Sequence, residues 1–146
     1  MLAALLVSAV PVSAFSQTIE VKVEVTNNAT AGAWVAWSKD SGETKPTVSV
    51  SAGQTTELSD YWLPVTGATS QTHILTITLP GQRACRAELR VEVGYAMPGL
   101  PTLSSLACSI REYSSHNLSC SLNAQSTTIG TGSPAGTCVA AIRFGG

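Results

Sequence analysis

One stretch of this chain alternates apolar and polar residues without a fault and a second does so nearly throughout, and that period of two constrains the fold more than any other feature. Ile19, Val21, Val23 and Val25 fall on one side of an extended backbone, while Thr18, Glu20, Lys22 and Glu24 fall on the other. The run Ala84–Tyr95 repeats the pattern. Cys85, Ala87, Leu89, Val91, Val93 and Tyr95 share one face, and Arg86, Glu88, Arg90 and Glu92 share the opposite one. Each run predicts a strand with one buried and one solvated face.

The rest of the chain reads the same way. Further strands are expected over Ala33–Ser38, Thr47–Ser51, Thr55–Val65, Thr72–Leu79, Ser105–Glu112, Asn117–Leu122 and Cys138–Phe144, separated by Gly, Pro and Asn turns. No apolar spacing of the helical kind persists after Ser16. About nine short strands with such punctuation predict a single-domain all-β sandwich of immunoglobulin-like or jelly-roll-like build; a small closed β-barrel is the alternative. The outer rows of the first and sixth strands are charge-complementary, which hints that the two are neighbours. Asn123–Thr137, rich in Thr, Gly and Ser, is expected to be a long loop.

Residues 1–16 read as a signal peptide, because Leu2–Val12 is almost uninterruptedly apolar and Val12-Ser13-Ala14 supplies small residues for cleavage. The run is shorter than the roughly 20 apolar residues a bilayer span requires. Residues 17–146 are then an exported domain, and a secreted, periplasmic or cell-surface location follows. Cys85, Cys108, Cys120 and Cys138 fit that compartment as two disulfides. Folding the seventh and eighth strands about Ser114-Ser115 as a hairpin predicts Cys108–Cys120, leaving Cys85–Cys138. A zinc site built from Cys108, His116 and Cys120 matches no common ligand spacing, and no metal or other cofactor is expected.

Charge excludes some partners. The formal net charge is −1 with 12% charged residues spread along the chain, so no basic stripe exists to neutralise a nucleic acid or an anionic membrane. Catalytic motifs are lacking: Gly-x-Ser-x-Gly is absent, and Gly130-Thr131-Gly132 has neither the lysine nor the helix of a phosphate loop. Glu57, Asp60 and His73 are the residues an exported hydrolase or toxin would have to use. Trp37, Tyr61 and Trp62 are the candidate ligand-binding residues, since an exposed aromatic among polar neighbours can stack on a sugar or anchor a protein. Trp34 and Trp37 have opposite parity, so one faces the core and the other water. Asn28-Ala29-Thr30 and Asn117-Leu118-Ser119 fit the N-glycosylation pattern, which matters only in a eukaryotic secretory route.

Three functions are consistent with this scaffold. The first is a non-enzymatic binding or structural domain: adhesin-like, a surface subunit, or a module that binds a protein. One version self-associates by pairing Thr18–Val25 with an open strand edge of a neighbour. The second is carbohydrate binding through an exposed tryptophan. The third is a small exported hydrolase or toxin.

Overall fold

The computed structural model describes residues 17–64, 67–100 and 102–145. The expected signal peptide, residues 1–16, and Val65 at the end of the expected fourth strand lie outside the described residues. Within them the strands are β1 (Ile19–Asn27), β2 (Ala33–Lys39), β3 (Val48–Val50), β4 (Thr55–Trp62), β5 (Ser70–Leu79), β6 (Arg83–Tyr95), β7 (Leu103–His116), β8 (Cys120–Ser126) and β9 (Gly136–Phe144). They form a four-stranded sheet in the order β4-β1-β9-β8 and a five-stranded sheet in the order β3-β2-β5-β6-β7. No ladder joins the two sheets among the described residues, so the fold is an open β-sandwich and the barrel alternative is not realised. The described residues contain no helix long and apolar enough to cross a membrane.

The inner rows are the ones that alternation marks. Ile19, Val21, Val23 and Val25 are fully buried, as are Leu75 and Ile77 of β5, Ala87, Leu89 and Val91 of β6, and Ala140 and Ile142 of β9. β1 lies at the centre of its sheet, antiparallel to β4 and parallel to β9. It therefore has no free edge to offer a neighbour. Removing it would take one of the two inner strands from the smaller sheet, so the expected assembly through Thr18–Val25 does not survive in that form. Nor is β1 beside β6, since the two belong to different sheets. Cross-strand charge pairs are worth a few tenths of a kcal/mol and do not choose a sheet; the apolar inner rows do.

The largest departure from expectation lies between β7 and β8. They do not form a hairpin. β7 ends the five-stranded sheet, β8 ends the four-stranded sheet, and the chain passes between them through Asn117, Leu118 and Ser119. Asn117 takes the left-handed conformation (φ 52°), and Leu118 is buried rather than exposed as a hairpin tip would be. Anchoring Leu118 sends the chain across the sandwich. The disulfides change accordingly: Cys85 pairs with Cys120 and Cys108 with Cys138, not Cys108 with Cys120 and Cys85 with Cys138. Their Cα separations are 6.4 and 5.9 Å, within the usual disulfide span. Each bridge joins the edge strand of one sheet to the penultimate strand of the other, β8 to β6 and β7 to β9.

The expected loop Asn123–Thr137 is shorter than its composition suggests, because β8 continues to Ser126 and β9 begins at Gly136. Its remainder is tied down. The Gly130 N–H donates to the Ala135 carbonyl, the Ala135 N–H to the Thr18 carbonyl, and the Gln17 side-chain amide to the Gly130 carbonyl.

Peptide mapping without reduction is expected to recover Cys85 joined to Cys120 and Cys108 joined to Cys138. Recovery of a Cys108–Cys120 peptide would restore the hairpin. Replacing Cys108 and Cys138 together by Ala should lower stability to denaturant by about 2–5 kcal/mol.

Candidate functional site

The two ends of the sandwich differ. The β1–β2, β3–β4, β5–β6 and β7–β8 connections lie at one end and are short, and the β2–β3, β4–β5, β6–β7 and β8–β9 connections lie at the other and are longer. Gln17 helps close the long-loop end. Its amide donates to Gly130, and its carbonyl accepts from the Leu103 N–H.

At that end the core turns polar. The inner row of β2 runs Ala33, Val35, Trp37 and then Lys39; that of β4 runs Leu58, Asp60, Trp62; that of β5 begins with Gln71 and His73 before Leu75. Strand parity thus delivers a lysine, an aspartate, a glutamine and a histidine between the sheets. Lys39 Nζ donates to Asp60 Oδ2 at 2.6 Å and lies 2.8 Å from Glu43 Oε2, while Lys45 Nζ donates to Asp60 Oδ1 at 2.7 Å. The Lys39 and Asp60 side chains are only 6% and 11% exposed. Because β2 and β4 belong to different sheets, the pair spans the sandwich. It does so at the lateral edge opposite the disulfides.

Burial disfavours both charges, but the partners outweigh it. Asp60 is held below the usual carboxylate range by its hydrogen bonds to Lys39 and Lys45, despite burial that pushes the other way. Lys39 is likewise held above the ordinary lysine value by Asp60 and Glu43 against the pull of burial. Behind them the Trp37 indole N–H donates to His73 Nδ1 at 2.9 Å, with the rings edge-to-face. An accepting Nδ1 leaves the proton of the neutral ring on Nε2, which finds no hydrogen-bond partner among the described residues. Burial pushes the His73 pKa down to about 4. A cleft of about 210 Å³ opens beside this cluster between the edges of β3 and β4, walled by Val35, Trp37, Val48 and Leu58.

The residues singled out from sequence scatter. Asp60 and His73 share the inner end, but Asp60 is held by two lysines and His73 is fully buried. Glu57 points out of the other face of β4, opposite Glu24, and cannot work with them. Trp37 (3% exposed) and Trp62 (8%) are core residues and offer no stacking surface, whereas Tyr61 is 58% exposed. The exposed tryptophan is Trp34, at 56%. Sequence reasoning missed Lys39, Lys45 and Glu43, although Lys39 shares the parity of Val35 and Trp37 and could have been placed inside by that alone. All four cysteine sulfurs are consumed in disulfides, so they are not available to the zinc arrangement.

The outer face of the five-stranded sheet carries the other cluster. Trp34 on β2 stands opposite Thr78 on β5; one step along, Ala36, Thr76 and Arg86 align across β2, β5 and β6. Arg86 lies over the ring of Tyr113, its guanidinium carbon 5.0 Å from the ring centre. Tyr113 sits at a register shift between β6 and β7, which turns its ring out onto this face. Tyr61 is on the outer face of the opposite sheet, so it and Trp34 cannot grip one ligand.

The chain matches no protein-family model, and no curated protein sequence matches it.

A histidine whose folded pKa is depressed stabilises the fold only while it is neutral. Stability is therefore complete above the unfolded value of 6.5 and falls as pH drops toward about 4. The loss across that window should be about 3 kcal/mol. Asp60, depressed below 3.8, adds a further loss at lower pH as its carboxylate protonates. Urea denaturation between pH 8 and 4 tests this. His73→Leu should flatten the upper window, at a pH-independent cost of about 1–3 kcal/mol for the orphaned Trp37 N–H. An unchanged slope in that variant would assign the effect elsewhere.

Proposed function

We propose that this chain is an exported, non-catalytic binding domain that meets its ligand with the outer face of the five-stranded sheet, and that the ligand class is glycan. The observation that carries this reading is the pairing of an exposed Trp34 with the Arg86–Tyr113 stack on a face to which β5 contributes Thr76 and Thr78. Strand spacing separates β2 from β6 by about 10 Å and from β7 by about 14 Å, a length suited to a short oligosaccharide. Indole and phenol rings supply stacking surfaces, while Thr76, Thr78 and Arg86 supply donors and acceptors for hydroxyls. Two disulfides in a domain of this size accord with an oxidising compartment. The hydrolase reading loses support from the same geometry: Asp60 and His73 are sealed between the sheets, and Glu57 is on another surface.

A glycan panel read by intrinsic fluorescence tests the proposal, because Trp34 is the only tryptophan of the three exposed to a ligand in solution. Binding should fall about tenfold or more in Trp34→Ala and in Tyr113→Ala, the scale of one hot-spot aromatic, with thermal stability unchanged. Full affinity in the folded double variant would overturn the assignment of this face. Silence of the wild-type protein across the panel would remove glycans.

Self-association is a second reading, favoured by β7. Among the described residues this 14-residue strand is paired only with β6, and most of it is exposed. Long edges with free backbone groups recruit further strands. Sedimentation at rising concentration should reveal a dimer that Ala107→Lys with Ser109→Lys abolishes. A wild-type protein that stays monomeric throughout would exclude it.

A further inference from the structure

We propose that Lys39 and Asp60 condense to an intramolecular isopeptide bond that joins the two sheets covalently. This goes beyond the binding role and does not depend on it. Four observations converge on the pair. The lysine nitrogen is already 2.6 Å from a carboxylate oxygen, one bond from the carbon it would attack. Both side chains are almost wholly buried and fixed on strands of different sheets, which gives the reaction the high effective concentration of an oriented pair. Glu43 touches the same lysine nitrogen at 2.8 Å and is positioned to take and return a proton. Lys45 sits 2.7 Å from the other carboxylate oxygen, where negative charge grows when the carbon becomes tetrahedral.

The step balances without any co-reactant. The Lys39 ammonium gives one proton to the Glu43 carboxylate. The resulting amine forms the N–C bond to Cγ of Asp60, leaving negative charge on Oδ1 beside the Lys45 ammonium. The proton released by the nitrogen goes to Oδ2, and Glu43 returns the proton it holds to the same oxygen. The C–Oδ2 bond breaks, water leaves, and Oδ1 becomes the amide carbonyl accepting from Lys45. One ammonium and one carboxylate have become one amide and one water, and Glu43 is a carboxylate again.

The driving force comes from the setting. Keeping two charges out of water is costly, and that cost consumes most of what their mutual attraction gains. A neutral amide at the same place removes that cost, while the expelled water gains bulk solvent. The ion pair is the state both partners favour before reaction, so the reaction must begin from it; Glu43 and Lys45 are the groups that allow this.

Intact-mass measurement of the purified protein decides the matter. The linked chain is lighter than its disulfide-bonded sequence by the mass of one water. After reduction and digestion it yields a branched peptide joining the Lys39 segment to the Asp60 segment. Lys39→Arg keeps an ion pair and the fold but cannot form the amide, so its mass should show no water loss. Glu43→Gln should slow the appearance of the lighter species. The linked protein should also lack the stability loss below pH 4 that Asp60 would otherwise cause, while keeping the His73 window. If the wild-type mass shows no water loss after prolonged incubation at neutral pH, and Lys39 is recovered in an unbranched peptide, the proposal is overturned.

Discussion

The strand ladders of a sandwich run within each sheet, so the two sheets of this domain are held face to face by side chains. That constraint explains most of the sequence. The inner rows of β1, β5, β6 and β9 supply a continuous apolar layer, each large side chain contributing about 1.5–3 kcal/mol through burial. Such a layer is strongest at its middle and weakest at its two lateral edges, where water can enter between the sheets. Both edges are reinforced, by different chemistry. On one side the disulfides cross, each tying an edge strand to an inner strand of the other sheet. On the other side Lys39 and Lys45 reach from the five-stranded sheet and its loop to Asp60 on β4.

The second reinforcement is less stabilising than its short distances suggest. A buried ion pair is weak evidence for stability, because desolvation consumes most of the Coulombic gain. Its contribution here is to register. A slip of one residue in β2 would turn Lys39 outward and push Trp34 or Ser38 inward, leaving Asp60 buried without a partner. The Trp37–His73 hydrogen bond adds a second condition on the same rows, since only one pairing of β2 with β5 sets the two rings edge-to-face. Polar residues at the end of the core thus specify which alignment the apolar rows adopt.

This division also explains what could be read from the chain. Strands were legible because residues two apart share a face, and the buried rows of β1, β5 and β6 follow that rule residue by residue. Neighbourhood was not. Charge alternation on β1 and β6 suits pairing in either direction and carries too little energy to decide between sheets. The β7–β8 connection was misread because Ser114-Ser115 resembles a turn; the deciding residue is Leu118, an apolar side chain in a polar stretch, and its burial has meaning only once two sheets exist. The cysteine pairing failed with it. Among the tryptophans, parity separated Trp34 from Trp37 but could not say which face was inner. Among the polar neighbours of Trp37, Lys39 suggested exposure when it was itself buried.

The two edges answer to different conditions, and this bears on how the domain would yield. Reduction releases β7 from β9 and β8 from β6 but leaves the ion cluster intact. Acid does the reverse: it charges His73 and neutralises Asp60 on the β2–β4 side while the disulfides stay closed. The cleft between β3 and β4 already lies on that acid-sensitive side. β3 is a three-residue strand with few backbone bonds to break. While Lys39 and Asp60 remain an ion pair, opening therefore begins at β3 and β4 under acid and at β7 and β8 under reduction. The outer face bearing Trp34 and Arg86 spans β2 to β6, between these two margins, and so keeps its shape longest under either stress.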